Sequence, residues 1–186
     1  DLMSSGQGMT ATLEIIQAMS NNTFPPALAI SPDSKAFSDV WNDTISAAET
    51  FNDPGRFTAF IGYEWTSQAA FNIHRNVIYR DGADLARQVL PFTVAPPLGS
   101  PLEPDLWKWM AAYEEKTGGN VLAIAHNGNV SNGLMFPTEK QPFSGLPVDQ
   151  AYVDARARWE PLYEATQMKG DGETHPFLSP NDELAD

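Results

Sequence analysis

Cysteine is absent from this 186-residue chain. Its absence excludes disulfides, thiolate nucleophiles and cysteine-held zinc. A metal site must then be built from His, Asp and Glu, a ligand set that suits Zn, Mn, Fe or Mg. Histidine is scarce too, with three in the chain, so the place of each carries information. Basic residues are few: 11 Lys and Arg against 24 Asp and Glu give a net charge of −13, with no Lys/Arg cluster. Such a surface repels phosphate backbones, so nucleic acid is not expected as a partner. No run approaches the roughly 18 apolar residues of a membrane span. Asp1 to Ser5 lacks the basic start and apolar middle of a signal peptide. Composition leaves the compartment open between cytoplasm, periplasm and secretion. Phosphate-binding glycine loops, Gly-x-Ser-x-Gly, His-x-His and His-Glu-x-x-His are all missing.

What is present is the material of a folded domain. Apolar residues make up 42% of the chain, with ten Phe, five Trp and five Tyr, which excludes a disordered polymer. The length fits one domain with a real core, and no internal repeat or linker divides it.

Periodicity predicts helices over 9–20, 35–51, 105–117 and 149–159. Thr10 or Thr12 suits the start of the first, and Met9, Leu13, Ile16 and Ala18-Met19 form its stripe. Ser31-Pro32-Asp33-Ser34 opens the second, whose stripe is Phe37, Val40, Trp41, Thr44, Ile45 and Ala48. In the third, Leu106, Trp109, Met110 and Tyr113 share a face, and Gly118-Gly119 stops it. Strands are expected over 57–65, 72–80, 121–125 and 162–166. The first is nearly all apolar, as for a strand covered on both faces. Residues 91–104 carry five prolines and 128–147 are rich in Gly and Pro, so both read as long loops. The tail from Lys169 reads as irregular. Alternation of strand, loop and helix predicts an α/β fold with a largely parallel sheet or barrel.

The chemistry is expected at strand ends. Val121-Leu122-Ala123-Ile124-Ala125 delivers His126 at its carboxyl end, and Phe57 to Tyr63 delivers Glu64. A carboxylate ending an apolar strand is costly to bury unless it is paired or bound to metal. Alternation puts His74 and Asn76 on one face of their strand, and Ile73, Arg75, Val77 and Tyr79 on the other. Glu64, His74 and His126 together supply a carboxylate and two imidazoles, a common ligand set for Zn, Mn or Fe. Two plainer readings stand beside it: each histidine as a satisfied core group, and Glu64 as half of an ion pair with Arg75 or Arg80. The third histidine, His175, lies in a glycine-containing loop with Lys169, Asp171 and Glu173. That loop reads equally as binding substrate or metal, or as solvated; Lys169 suits a phosphate or carboxylate as a point charge.

Five motifs in order carry a family resemblance. They are Phe60-Ile61-Gly62-Tyr63-Glu64-Trp65-Thr66, Asn72-Ile73-His74-Arg75-Asn76-Val77, Ala125-His126-Asn127-Gly128-Asn129, Trp159-Glu160-Pro161-Leu162-Tyr163-Glu164 and Gly172-Glu173-Thr174-His175-Pro176. Over about residues 55–186 the chain resembles a bacterial family of uncharacterised proteins numbered 3604 among the domains of unknown function (DUF3604). That family looks like a branch of the polymerase-and-histidinol-phosphatase (PHP) superfamily of metal-dependent phosphoesterases. The resemblance implies part of a distorted (β/α) barrel with two or three divalent metals at its strand ends. By position Glu64 matches the superfamily's bridging glutamate, and His74 and His126 two of its histidine ligands. Lys169, His175 and Asn127 are further site candidates.

Two departures accompany it. The superfamily's opening His-x-His strand and closing Asp-x-His strand have no counterpart here. The expectation is therefore one incomplete domain, an internal piece of a longer protein, binding metal poorly and inactive when isolated. Open strand edges would favour a homo-oligomer. The implied activity of the intact protein is hydrolysis of a small-molecule phosphoester. A non-catalytic binding or scaffold module, or a metal hydrolase of C–N bonds, is the alternative.

Overall fold

Caps and apolar stripes place the helices where the sequence predicts them. The computed structural model describes residues 5–21, 23–25, 30–67, 72–172, 177 and 180. Helix α1 spans Gly8–Ser20 and α2 spans Lys35–Phe51. The Ser34 side chain accepts from the Phe37 amide at 3.2 Å, satisfying a free donor of the first turn of α2. Of its stripe, Trp41 and Ile45 are buried while Val40 stays exposed. The stripe of α1 also remains exposed at Met9, Leu13 and Ile16.

A one-turn helix, α3, covers Ala83–Ala86, and α4 covers Glu103–Thr117. Helix α4 begins two residues earlier than its periodicity suggests, because Pro104 in the first turn forfeits only an amide that has no intrahelical partner. Gly118 ends it in the left-handed conformation at φ 71°. Helix α5 spans Gln150–Trp159, with the Asp149 carboxylate accepting from the Tyr152 amide at 2.9 Å.

The sheet corrects the expected topology. Strands β1 (Gly62–Thr66), β2 (His74–Tyr79), β3 (Val121–His126) and β4 (Leu162–Tyr163) lie in that order. The β1–β2 and β2–β3 pairs are antiparallel, and the β3–β4 pair is parallel. The fold is mixed α/β, but its sheet is neither largely parallel nor closed into a barrel among the described residues. Residues 67–73 are too few for the crossover of a dozen or more residues that a parallel neighbour needs, so β2 must return antiparallel. Residues 57–61 also fall outside the strand. Ile61 already pairs with the last residue of β2 through the Tyr79 amide, and nothing continues the ladder beyond it. Phe57 and Phe60 are accordingly exposed. The predicted strand 162–166 splits into β4 and β5 (Thr166–Gln167), and β5 pairs with β6 (Gly170–Asp171) in a small hairpin within the tail read as irregular.

Among the described residues, one face of the four-stranded sheet is covered, not both. Trp65, Val77, Tyr79, Val121 and Ala123 pack under Trp41 and Ile45 of α2, Leu106, Met110 and Tyr113 of α4, and Trp159 of α5. Tyr79 meets Tyr113 edge-to-face at 5.1 Å, and Trp41 lies 5.5 Å from Tyr79. Arg75 projects into the same layer, wholly buried. Its Nε donates to Glu160 Oε1 at 3.1 Å, and its Nη1 lies 3.7 Å from Glu103 Oε1. Trp107 Nε1 donates to the same Glu160 oxygen at 2.8 Å, and Arg156 Nη1 stands 3.5 Å from the other. The opposite face carries Gly62, Glu64 and Thr66 of β1, His74, Asn76 and Ile78 of β2, and Leu122, Ile124 and His126 of β3. Every one of these is at least partly open to solvent.

The proline-rich segment returns the chain to the start of α4. Trp65 Nε1 donates to Thr93 O at 3.3 Å, and the Ser67 hydroxyl donates to Pro101 O. This segment walls the sheet at the end where Thr66 and His74 lie. No described helix is long and apolar enough to cross a membrane.

Candidate metal centre

Side-chain alternation and strand register assemble the site. Because β2 runs against its neighbours, its first residue meets the last residues of β1 and β3. His74 lies directly opposite Thr66 on one side and His126 on the other. Glu64, two residues before Thr66, projects from the same face. The expectation of strand carboxyl ends therefore holds for Glu64 and His126, whereas His74 arrives from an amino-terminal end.

Glu64 Oε1 sits between the two imidazoles, 2.8 Å from His126 Nε2 and 3.3 Å from His74 Nδ1. Thr66 Oγ1 lies 2.9 Å from the same His74 nitrogen. The rings stack with centroids 5.4 Å apart and planes 24° apart. Both histidines are mostly buried, and about half of the Glu64 side chain is exposed. Burial lowers the pKa of His74; the Glu64 charge opposes this, while His126, Lys169 and Arg75 reinforce it. The neutral imidazole is the form that ligates a metal.

The three residues each offer one ligand atom, all within 4.8 Å of one another. A tetrahedral ion at about 2.0–2.2 Å from each would hold them roughly 3.4 Å apart. The contact of Glu64 with His74, at 3.3 Å, already matches this spacing, and that with His126, at 2.8 Å, is about 0.6 Å shorter, a small opening for an exposed glutamate. His126 Nδ1 is buried without a hydrogen-bond partner, so the ring is not accounted for as a satisfied core group. The donor set and its spacing fit a divalent cation. The ion-pair reading of Glu64 with Arg75 does not hold, because Arg75 points to the covered face and meets Glu103 and Glu160.

The loop after His126 adds further groups. Asn127 is buried at φ 64°, a left-handed conformation that asparagine tolerates better than most residues. Its amide donates to Glu164 Oε2 at 3.1 Å. Its Oδ1 accepts from Gln167 Nε2, and from Lys169 Nζ at 3.4 Å. Asn129 Nδ2 donates to the Lys169 carbonyl at 3.1 Å, fastening the β5–β6 turn beside the site. Lys169 is thereby brought within electrostatic reach of His74. His175 lies outside the described residues. Sequence reasoning passed over Thr66, Glu164 and Gln167. Thr66 was recoverable from its alternation with Glu64, whereas the other two depend on how β4 and β5 dock.

Fold and site define a mixed α/β domain with a carboxylate-bridged pair of histidines on the open face of its sheet. The chain belongs to the family described as a protein of unknown function (DUF3604), whose model matches residues 2–186. The match takes in α1 and α2 as well as the motif-bearing part. No curated protein and no solved structure matches the chain significantly.

Proposed function

We propose that this chain carries part of the catalytic centre of a divalent-metal-dependent hydrolase of phosphoesters, similar in its chemistry to the PHP type. The observation that supports this reading is the convergence of Glu64, His74 and His126 from three strands onto one point. Glu64, His74 and His126 hold Zn, Mn or Fe, with the remaining coordination positions left to groups from outside this cluster. A divalent cation supplies Lewis-acid stabilisation of charge developing on a phosphoryl oxygen. Lys169, held by Asn127, binds an anionic substrate oxygen as a point charge. Thr66 orients the His74 ring through its contact with Nδ1.

Elemental analysis of the purified intact protein, with any sequence that flanks this chain, and of its His126→Ala variant tests the reading. The expected result is bound Zn, Mn or Fe in the parent and its loss in the variant, with hydrolysis of generic phosphoesters under added Mn. Metal content unaffected by His126→Ala overturns the ligand assignment. A second reading, a binding module without turnover, is favoured by one observation: the described residues supply only three clustered ligands. Metal retention with no hydrolysis of phosphoesters would select it. Hydrolysis confined to amides would instead select a C–N hydrolase.

A further inference from the structure

The sheet face that carries the metal cluster changes character abruptly along its strands. The row Thr66–His74–His126 is polar throughout. In the next row Glu64 and Asn76 are followed by Ile124 and Leu162. In the third, Gly62, Ile78 and Leu122 carry no polar side chain at all. Along β3 the rise of about 3.4 Å per residue puts Ile124 roughly 7 Å, and Leu122 roughly 14 Å, from His126.

These side chains floor a cavity of about 550 Å³ whose apolar part is Phe60, Ile78, Leu122, Ile124, Pro161 and Leu162, with Arg80, Glu114, Asn120 and Arg158 also on its wall. Its size is that of a small-molecule site. Phe60 and Leu162 remain 61% and 55% exposed on its walls, large apolar groups left open beside a polar cluster. Gly62, outside the cavity, leaves room for Ile78 beside it, because a Cβ there would come within 3.1 Å of Ile78 Cδ1 and 2.8 Å of Val77 O. A second groove, along α2 and the outer edge of β1, reaches Glu64 from the other side. Its walls Trp41, Tyr63 and Trp65 belong to the covered layer and face away from the histidines.

We infer that the cavity over Ile78, Leu122 and Ile124 is the subsite for the organic body of the substrate, and that this body is apolar, of aryl or branched alkyl type. The inference rests on the proposed metal site as the anchor for the anionic end. It selects phosphoesters of hydrophobic alcohols or phenols over those of sugars, because the stretch over Ile78, Leu122 and Ile124 offers a sugar hydroxyl no side-chain hydrogen-bonding partner, and the Arg158–Glu114 pair on the wall already satisfies itself.

Calorimetric titration with two non-hydrolysable phosphonates, 1-naphthylmethylphosphonate and methylphosphonate, tests it, with naphthalene-1-methanol as the probe lacking an anion. The naphthyl phosphonate should bind at least tenfold tighter than methylphosphonate, the increment expected for burying a large apolar group. Phe60→Ser and Leu162→Ser, both at exposed positions, should reduce that ratio to about threefold or less while leaving methylphosphonate binding unchanged. Val40→Ser, on the groove along α2, should leave the ratio intact. Naphthalene-1-methanol should still bind, and remain sensitive to Phe60→Ser, after chelation of metal. That result in a protein that never takes up metal would keep the apolar subsite and discard the metal reading. Equal affinity for the two phosphonates in the metal-loaded protein overturns the inference alone. So does a ratio lost in Val40→Ser rather than Phe60→Ser. A dimer in sedimentation that Phe60→Ser dissociates and the naphthyl probe cannot displace also overturns it, since a second copy would then cover the face.

Discussion

His74 and His126 occupy directly opposed positions on antiparallel strands, with their rings stacked 5.4 Å apart. Burial lowers the pKa of His74, the Glu64 charge opposes this, and the neighbouring His126 adds to the lowering. Burial thereby favours the neutral form of His74, which is the state a cation requires. The arrangement follows from register. A slip of one residue between β2 and β3 would send one ring into the aromatic core.

Glu64→Gln separates ligation from stability. Half of the side chain is in solvent, so its loss should change folding stability by no more than about 0.5 kcal/mol. Divalent metal affinity should fall by tenfold or more, as for loss of one anionic ligand. Chemical denaturation and metal titration on the same preparation provide the check. A large stability loss would mean that Glu64 is chiefly structural.

Arg75→Met should behave in the opposite way. Arg75 is fully buried between Glu103 and Glu160, and removing it strands two carboxylates in the core. Breaking a buried pair from one side costs about 3–5 kcal/mol. Urea denaturation of the variant measures this; a loss below about 1 kcal/mol would show that water reaches the cluster.

Glu103 supplies a pH signature. Burial raises its pKa above the ordinary value of 4.5, against the opposing charge of Arg75. Between that value and the folded-state value the native protein holds a proton that the unfolded chain has released. The associated stability is complete below pH 4.5 and is lost as pH rises through the folded-state value. Glu103→Gln cannot titrate, so its melting temperature relative to the parent should rise between pH 4.5 and neutrality. A difference that stays flat across this window would contradict the raised pKa.

Asn127 can be dissected by two substitutions. Asn127→Gly keeps the left-handed backbone and removes the amide that holds Gln167 and Lys169; Asn127→Ala also imposes about 1–2 kcal/mol of backbone cost. Alanine should therefore be the more destabilising in thermal melts, and both should weaken binding of inorganic phosphate. Equal stability of the two variants would remove the conformational argument.

Much of the local structure was legible without coordinates. Helix α2 is predicted to the residue, because its Ser34 cap and its terminal Asn-Asp-Pro-Gly are local signals. The three ligand candidates were legible too, from strand alternation and from a histidine budget of three. Strand direction was not: β2 is antiparallel because residues 67–73 form a short connection, while periodicity describes faces and not directions. Residues 57–61 misled for the same reason, since β-propensity cannot supply a pairing partner.

The sequence by itself determined the helices, the alternating faces of the strands, the lack of thiol chemistry and the restriction of metal ligands to imidazole and carboxylate. Tertiary structure alone decided that Arg75 belongs to Glu103 and Glu160 rather than to Glu64. It also decided that Lys169 comes within electrostatic reach of His74 and that, among the described residues, one sheet face stays open. Those outcomes depend on distances between residues far apart in the chain. They are set by strand register and by which face the aromatic helices cover, and a one-dimensional pattern encodes neither.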